Sequence, residues 1–253
     1  MFSYYSKLCT EVYDLTKPVG CSLNGDIEYY QERLKSCSGR ILEAAVGSGR
    51  FLIPLLEAGY TVDGIDYSPE MLESCRKRCE ERGLHSNLYE ARLQDFTLPH
   101  QYDAIIIPTG SFCLLEDRED SLAALRCFYK HLAPGGRLIV DLHLPYDWKP
   151  AEITTSTFSL PDGDGITMEC RSIEMDWLHQ YTVSYIKYEK WRQGKLIQSE
   201  LQRFALRWYG VEEFKLILSS LGYADITCSA DYVYGQQPSR ADQMITFEAI
   251  RKP

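Results

Sequence analysis

The sequence lacks any apolar stretch long enough to cross a membrane. Hydrophobic residues make up 45% of the 253-residue chain, but no run approaches the roughly 18 consecutive apolar residues of a spanning helix. The opening residues, MFSYYSKLCTEVYDL, also lack the apolar core of a secretory signal peptide. We therefore expect neither a membrane partner nor secretion.

Runs of lysine or arginine are absent as well. The formal net charge is -9, whereas binding to a phosphate backbone requires several clustered cations. Nucleic acid is therefore not an expected partner.

The sequence contains nine cysteines. An odd number scattered through an ordinary core argues against a disulfide framework and favours the reducing cytoplasm. Cys75 and Cys79 lie four residues apart on a predicted helix, but no second His or Cys pair at ligand spacing accompanies them. We therefore expect no metal site.

Between residues 40 and 144, short apolar runs alternate with amphipathic stretches. This alternation is typical of a parallel sheet covered by helices on both faces. The predicted strands are residues 40–45, 61–65, 88–93, 102–107 and 137–142. The predicted helices are residues 50–58, the stretch from N-cap Ser68 to a stop at Gly83, and residues 119–132, which Pro134-Gly135-Gly136 would end.

After residue 145 the pattern changes to segments rich in β-branched and aromatic residues. Turn sequences separate them (DGDG at 162–165 and QGK at 193–195), which predicts an antiparallel meander. Its predicted strands are residues 153–160, 166–175, 182–192 and 196–208. The α/β pattern then resumes, with a helix at 211–221 and strands near 225–229 and 244–251.

The sharpest motif is ILEAAVGSGR at residues 41–50, between the first strand and the first helix. A loop of small residues lets the backbone approach a ligand, and the next helix points its N–H groups at that ligand. About 20 residues later, GIDYSPEM places Asp66 at the tip of the second strand, where an acid can accept hydrogen bonds from two ribose hydroxyls. The alternatives are that the loop is a plain turn and that Asp66 only caps the next helix.

A nicotinamide-dependent dehydrogenase uses a glycine loop and a distant acid too. Such an enzyme usually has the full G-x-G-x-x-G, whereas this loop reads A-x-G-x-G-R. An NAD-dependent oxidoreductase therefore stays an alternative, and a weaker one.

From residue 41 to residue 141 the chain resembles the class I S-adenosylmethionine-dependent methyltransferases. Five motifs carry the resemblance in order: ILEAAVGSGR, GIDYSPEM, LQDF at 93–96, YDAIIIPTGSF at 102–112 and LAPGGRLIVD at 132–141. The resemblance implies an α/β, Rossmann-like, seven-stranded, mostly parallel sheet with helices on both faces, plus the inserted antiparallel meander. It also implies S-adenosylmethionine as cofactor and S-adenosylhomocysteine as product. Ala45 departs from the pattern, because the family usually has its first loop glycine there.

The resemblance also assigns roles to individual residues. Glu43 would lie near the amino group of the methionine moiety, Asp66 would bind the ribose, and Met71 would pack against adenine. Asp95 would face the adenine amino group, unless it is an exposed loop acid. The expected cofactor-binding residues are Tyr13, Arg33, Glu43, Ala45, Gly47, Gly49, Asp66, Tyr67, Met71, Gln94, Asp95, Phe96, Pro108 and Gly110.

Two residues are candidates for catalysis. EVYDL at 11–15 resembles the lid motif of small-molecule N-methyltransferases, in which the tyrosine approaches the methyl donor, so Tyr13 is one candidate. His143 is the other, because it follows the fifth strand at the edge where the sheet opens toward the ligand crevice. Its alternative role is a hydrogen bond to a loop. Arg33 could reach the methionine carboxylate or form a surface ion pair.

By resemblance the chain divides into lid helices (1–39), the cofactor-binding core (40–149), a β insertion roofing the substrate site (150–208) and the completion of the core (209–253). The insertion is similar to the β-layer of glycine- and amino-sugar N-methyltransferases. Its aromatic residues could line a pocket, form a homodimer face or pack against the core. We therefore expect a cytoplasmic methyltransferase that modifies nitrogen or oxygen of a small-molecule acceptor. A non-catalytic binding protein that retains the fold is the other alternative.

Overall fold

The computed structural model describes residue 1 and residues 3–252. The helices in these residues are α1 (Lys7–Thr16), α2 (Asp26–Leu34), α3 (Leu52–Glu57), α4 (Pro69–Glu80), α5 (Arg118–His131) and α6 (Val211–Ser220). The strands are β1 (Ile41–Ala44), β2 (Val62–Asp66), β3 (Leu88–Glu90), β4 (Tyr102–Ile107), β5 (Leu132–Leu142), β6 (Ile153–Ser159), β7 (Gly165–Asp176), β8 (Tyr181–Arg192), β9 (Lys195–Arg207), β10 (Tyr223–Ala230) and β11 (Ile245–Arg251). None of the helices in the described residues is both long and apolar enough to pass through a membrane.

Seven strands form one sheet in the order β10-β11-β5-β4-β1-β2-β3. The pairs from β5 to β3 are parallel, and β11 runs antiparallel to both of its neighbours. The chain moves outward from β1 to β3 and then returns to β4 on the other side of β1. This reversal creates a crevice at the carboxyl ends of β1 and β4, where open α/β sheets bind ligands. The predicted seven-stranded, mostly parallel sheet is confirmed.

The central strands are buried on both faces because their apolar residues alternate between two cores. In β4, Ile105 packs with the residues of α5 and α6 on one face. The next residue, Ile106, packs with α2, α3 and α4 on the other face. Successive side chains of a strand point to opposite faces, so a continuous apolar run is what a strand between two helical layers requires.

Strand β5 begins five residues earlier than predicted. The sequence analysis places Pro134-Gly135-Gly136 in a break before a strand at 137, whereas β5 already pairs with β4 at Leu132. The register then shifts between Tyr102 and Ala104 of β4, so the extra residues are looped out within the strand. Gly135 adopts φ +79° in this loop, a conformation that glycine tolerates best. A bulge therefore replaces the expected break. At the other edge, β3 ends at Glu90 rather than at residue 93.

The second sheet is antiparallel, with four strands in the order β6-β7-β8-β9, and it confirms the predicted meander. Helix α1 packs on this sheet rather than on the large one. Leu8 and Val12 of α1 share a buried cluster with Ile166 of β7 and Tyr188 of β8. The N-terminal helix and the meander therefore form one layer, which lies over the crevice of the seven-stranded sheet.

Candidate active site

The loop after β1 takes backbone conformations that few side chains allow. Gly47 and Gly49 have φ values of +54° and +84°. A Cβ on Gly49 would lie 2.8 Å from the Cys75 sulfur of α4, so only glycine lets the loop approach that helix. Ala45 also has a positive φ, +58°. The alanine at the usual glycine position therefore adopts the glycine conformation at a strain cost of about 1 kcal/mol.

Asp66 joins this loop to the start of α4. One carboxylate oxygen accepts a 2.8 Å hydrogen bond from the Gly47 amide, and the other accepts one of 2.8 Å from the Ser68 amide. Ser68 caps the helix as predicted, since its hydroxyl accepts a bond of 3.0 Å from the Met71 amide. A carboxylate has about four acceptor positions, so two remain for a ligand. Burial raises the pKa of Asp66 despite these backbone bonds.

Glu43 lies in the middle of β1 and is 2% exposed. Its Oε2 atom has no hydrogen-bond partner among the described residues. Burial raises the pKa of Glu43 well above its usual value, although the nearby Arg50 opposes the shift. A buried carboxylate oxygen without a partner is costly unless a ligand supplies a donor. The ammonium group of the methionine moiety is such a donor, so this residue fits the cofactor that the sequence implies.

Arg50, which the sequence analysis placed in a helix without a role, is the best-connected cation near Glu43. It is 3% exposed, and it donates to Asp26 Oδ2 at 2.8 Å, to the Cys21 carbonyl at 2.6 Å and to the Thr109 hydroxyl at 2.5 Å. Its Nε atom is buried without a partner. The sequence does indicate Arg50 in one way, because this arginine directly follows the glycine loop.

Tyr13 and Lys17 of the N-terminal segment lie beside this group. The Lys17 ammonium is 4.8 Å from the centroid of the Tyr13 ring. Burial raises the pKa of Tyr13, and burial together with the Arg50 charge lowers the pKa of Lys17. Arg50 and Lys17 thus give two cations to a site where the sequence analysis expected Arg33.

A cavity of about 840 Å³ opens beside the loop and beneath the N-terminal segment. Seven of the expected cofactor-binding residues line it: Tyr13, Ala45, Gly47, Asp66, Tyr67, Met71 and Gln94. These residues form what we call the cofactor end. The opposite part, the acceptor end, is lined by Leu114–Arg118 and by residues 202–205 and 207 of β9. The cavity thus extends from the Rossmann-like loops to the meander.

The other expected cofactor residues do not line the cavity. Phe96 is buried in the core, where its ring centroid lies 4.4 Å from that of His131. Gly110 packs against His143, since a Cβ on it would lie 2.4 Å from the imidazole Nδ1. Glu43, Gly49, Asp95 and Pro108 are also absent from the wall. Their cofactor contacts stay predictions.

The structure corrects the expectation for Arg33. Its Nε donates to Glu248 of β11 at 2.8 Å, and its guanidinium stacks 3.6 Å from the centroid of the Tyr234 ring. The buried carboxylate of Glu248 attracts this guanidinium, so the Arg33 side chain is held away from the cavity. Of the two readings of Arg33, the ion pair is therefore the observed one.

His143 lies in a second cavity of about 480 Å³, not in the first. Burial lowers the pKa of this imidazole, and the nearby Asp147 opposes the shift. The loop that carries Gly110 lies between His143 and the first cavity. His143 therefore does not contact the acceptor end, and a role as its general base requires movement of that loop.

Asp141 supports the loop after β4 from below. It accepts hydrogen bonds from the Thr109 amide at 2.7 Å, the Tyr232 hydroxyl at 3.0 Å and the Thr246 hydroxyl at 2.7 Å. Burial raises the pKa of Asp141 to about 6. Through Thr109, this carboxyl group also positions one of the acceptors of Arg50. Within the described residues, no three metal-ligating side chains converge.

Two comparisons of the sequence with known proteins match the region that contains the cofactor loop. Residues 41–136 match the family model described as "Methyltransferase domain". Putative methyltransferase YqeM of Bacillus subtilis is 27% identical over 216 residues, covering 83% of each chain.

Solved structures share the fold along nearly the whole length. The sugar N-methyltransferase KedS8 of Streptoalloteichus superposes with a TM-score of 0.74 at 22% identity, over 95% of this chain and 93% of that one. CalS10 of Micromonospora echinaspora, an amino pentose methyltransferase solved with S-adenosylmethionine bound, gives a TM-score of 0.67 at 18% identity, over 95% and 97%. The domain match and this shared architecture agree with the cavity and its loops: residues 41–136 form a methyltransferase domain, and the chain as a whole has the fold of S-adenosylmethionine-dependent methyltransferases.

Proposed function

We propose that this enzyme transfers the methyl group to a nitrogen atom of a small-molecule acceptor. The observation that carries the proposal is the position of the available bases relative to the acceptor end. His143 lies in the other cavity, and His179 at the mouth has a 71% exposed side chain already paired with Asp176. Of the carboxylates that line the acceptor end, Glu116 is paired with Arg203, and Asp117 caps α5 by accepting from two backbone amides. A hydroxyl nucleophile needs a base in contact with it, whereas a neutral amine attacks without one.

The size and cover of the cavity support a small acceptor. A volume of about 840 Å³ lies within the range of small-molecule sites, which is roughly 300–1,000 Å³. The meander and α1 cover one side of it. The names of two structural relatives, a sugar N-methyltransferase and an amino pentose methyltransferase, support nitrogen and an amino sugar as the first acceptors to try.

In this proposal the cofactor supplies the methyl group on a positively charged sulfur, and the chain supplies alignment. Glu43 would accept from the methionine ammonium group, Arg50 and Lys17 would balance the methionine carboxylate, and Asp66 would use its two remaining acceptor positions on the ribose. The faces of Tyr5 and Tyr13, whose ring centroids lie 6.2 Å apart, attract the sulfonium charge. Exclusion of water by these rings favours the in-line displacement.

The test is a set of matched acceptors that differ only in the nucleophile. The purified enzyme is incubated with S-adenosylmethionine and either an amino sugar or the sugar with a hydroxyl at the same carbon, and formation of S-adenosylhomocysteine and methylated product is followed. We expect turnover of the amino compounds only, with a rate that rises with pH as the ammonium group loses its proton. Methylation of the hydroxyl members would overturn the assignment to nitrogen. Cofactor binding without turnover of any member would favour the non-catalytic alternative.

A further inference from the structure

Arg207, the last residue of β9, is a buried cation without a counterion. The residue is 5% exposed. Its Nε donates to the Glu116 carbonyl at 2.7 Å, and its guanidinium forms no ion pair with any carboxylate of the described residues. That single bond fixes the plane of the guanidinium and leaves its two terminal NH2 groups without protein acceptors.

The acids nearby are already occupied by other arginines. Glu116 pairs with Arg203 through two hydrogen bonds, one of them 2.7 Å long. Glu213 accepts from Arg118 at 2.7 Å. The two terminal nitrogens of Arg207 are not among the fully buried polar atoms that lack a partner, so they are open to the cavities that the residue lines. The arrangement around Arg207 therefore indicates that a ligand, rather than the chain, supplies the anion.

The position of Arg207 indicates that this ligand is the acceptor rather than the cofactor. It lines the acceptor end of the first cavity and also the second cavity. In the β8–β9 register it pairs with Tyr181, which lines the same end of the first cavity. The cofactor end, with Asp66 and Met71, is formed by different elements, and in the proposed function its neighbouring cations, Arg50 and Lys17, would balance the methionine carboxylate.

We propose that Arg207 binds an anionic group of the acceptor, so that the substrate is an amine that also carries a carboxylate or a phosphate. The two terminal NH2 groups form a planar fork that matches either oxyanion with two parallel hydrogen bonds. This proposal rests on the proposed function for the amine, but the anion site exists independently of the atom that is methylated.

The experiment measures anion binding without turnover. The complex of the protein with S-adenosylhomocysteine is titrated by calorimetry with acetate, inorganic phosphate and inorganic pyrophosphate at constant ionic strength, with chloride as the reference anion. We expect one class to bind, which distinguishes a carboxylate from a phosphate acceptor. In Arg207→Gln the affinity for that anion should fall by roughly 10- to 100-fold, as for the loss of hydrogen bonds to a charged group.

Two further variants make the result specific. Arg207→Lys keeps the charge but not the fork, so it should recover only part of the affinity. Arg171→Gln removes a meander cation that is already paired with Glu169 and lines neither cavity, so its affinity for the anion should match that of the wild type. The affinity for S-adenosylhomocysteine reports correct folding in every variant. If Arg207→Gln does not fold, the loss of anion affinity in Arg207→Lys relative to Arg171→Gln provides the test.

The proposal is overturned if none of the three anions binds the wild-type complex at millimolar concentration, or if the Arg207 variants bind them as tightly as the wild type. Failure of N-methylation in the matched-acceptor test would leave these titrations unchanged. The two proposals can therefore fail separately.

Discussion

The cofactor end and the acceptor end of the cavity hold their polar groups in different ways. At the cofactor end, Asp66 accepts from backbone amides and Arg50 pairs with a fully buried Asp26. At the acceptor end, Arg203 and Glu116 pair through side chains that are each about a third exposed, 32% and 35%. Substitution cannot remove the backbone partners of Asp66, and the Arg50–Asp26 pair is buried, whereas solvent reaches and weakens the Arg203–Glu116 pair. The polar groups of the cofactor end are therefore held more strongly than those of the acceptor end.

The largest expected effect is on stability, and it compares the Arg50–Asp26 pair with the Arg203–Glu116 pair. Arg50→Met leaves Asp26 as an uncompensated buried charge, so the free energy of unfolding should fall by about 3–5 kcal/mol. Arg203→Met at the acceptor end should cost less than about 1 kcal/mol, because solvent screens that pair. Urea unfolding of both variants measures the difference. Equal losses of unfolding free energy would show that the buried pair at the cofactor end is no stronger than the partly exposed pair at the acceptor end.

The next effect concerns cofactor affinity. In Asp66→Ala, the ribose acceptors and the tie to the Gly47 amide are lost together, so binding of S-adenosylhomocysteine should weaken on the order of 100-fold, as for two or more hydrogen bonds to a charged group. Calorimetry with NAD as a second ligand tests the dehydrogenase alternative at the same time. Glu116→Ala, at the acceptor end, is the matched loss of a carboxylate and should change this affinity little. Unchanged binding in Asp66→Ala would exclude the proposed role of the residue.

Glu200 of β9 is buried, unlike the partly exposed Arg203–Glu116 pair of the acceptor end. It accepts from the Ser6 hydroxyl at 2.5 Å and from the Leu8 amide at 2.9 Å, and so it attaches the N-terminal segment to the second sheet. Glu200→Ala leaves the buried Leu8 amide without an acceptor, which costs about 1–3 kcal/mol. Faster limited proteolysis before residue 10 and a lower urea midpoint should follow. Glu169→Ala, on an exposed pair with Arg171, is the control that should behave as the wild type.

The smallest effect tests the strain in the cofactor loop. Ala45→Gly relieves a residue at φ +58°, so the free energy of unfolding should rise by at most about 0.5 kcal/mol once the extra entropy of glycine in the unfolded chain is subtracted from the strain. The affinity for S-adenosylhomocysteine should stay the same or improve. A loss of stability would mean that the alanine methyl group packs usefully in the loop.

The sequence predicted the parts of this protein that depend on local patterns. The apolar run of β4, the cap at Ser68 and the turns of the meander each follow from residues close together in the chain, and all were found where expected. The bulge in β5 was missed, because a Pro-Gly-Gly sequence can end a helix, as predicted here, or loop out of a strand, and the neighbouring strand decides which.

The side-chain partners could not be predicted in this way. Arg33 is held by Glu248, which is 215 residues later in the chain, and no spacing rule relates the two. The unpaired state of Arg207 depends on Arg203 occupying Glu116, 87 residues earlier. His143 was expected at the crevice from its place after β5, but the loop at Gly110 separates it from the cavity. These side-chain partners depend on which distant segments the fold brings together, and the local sequence of each segment does not determine that.

The position of β11 has a consequence for how the protein is made. This strand, residues 245–251, lies between β10 and β5 rather than at the edge of the sheet, and Thr246 supplies a hydrogen bond to Asp141. During synthesis on the ribosome, β5 therefore keeps an open edge until these residues emerge, and an open edge is a place where chains aggregate. Because Thr246 also holds Asp141, the support of the loop after β4 is completed only when β11 pairs with β5. The cavity beside this loop therefore reaches its final form late in folding.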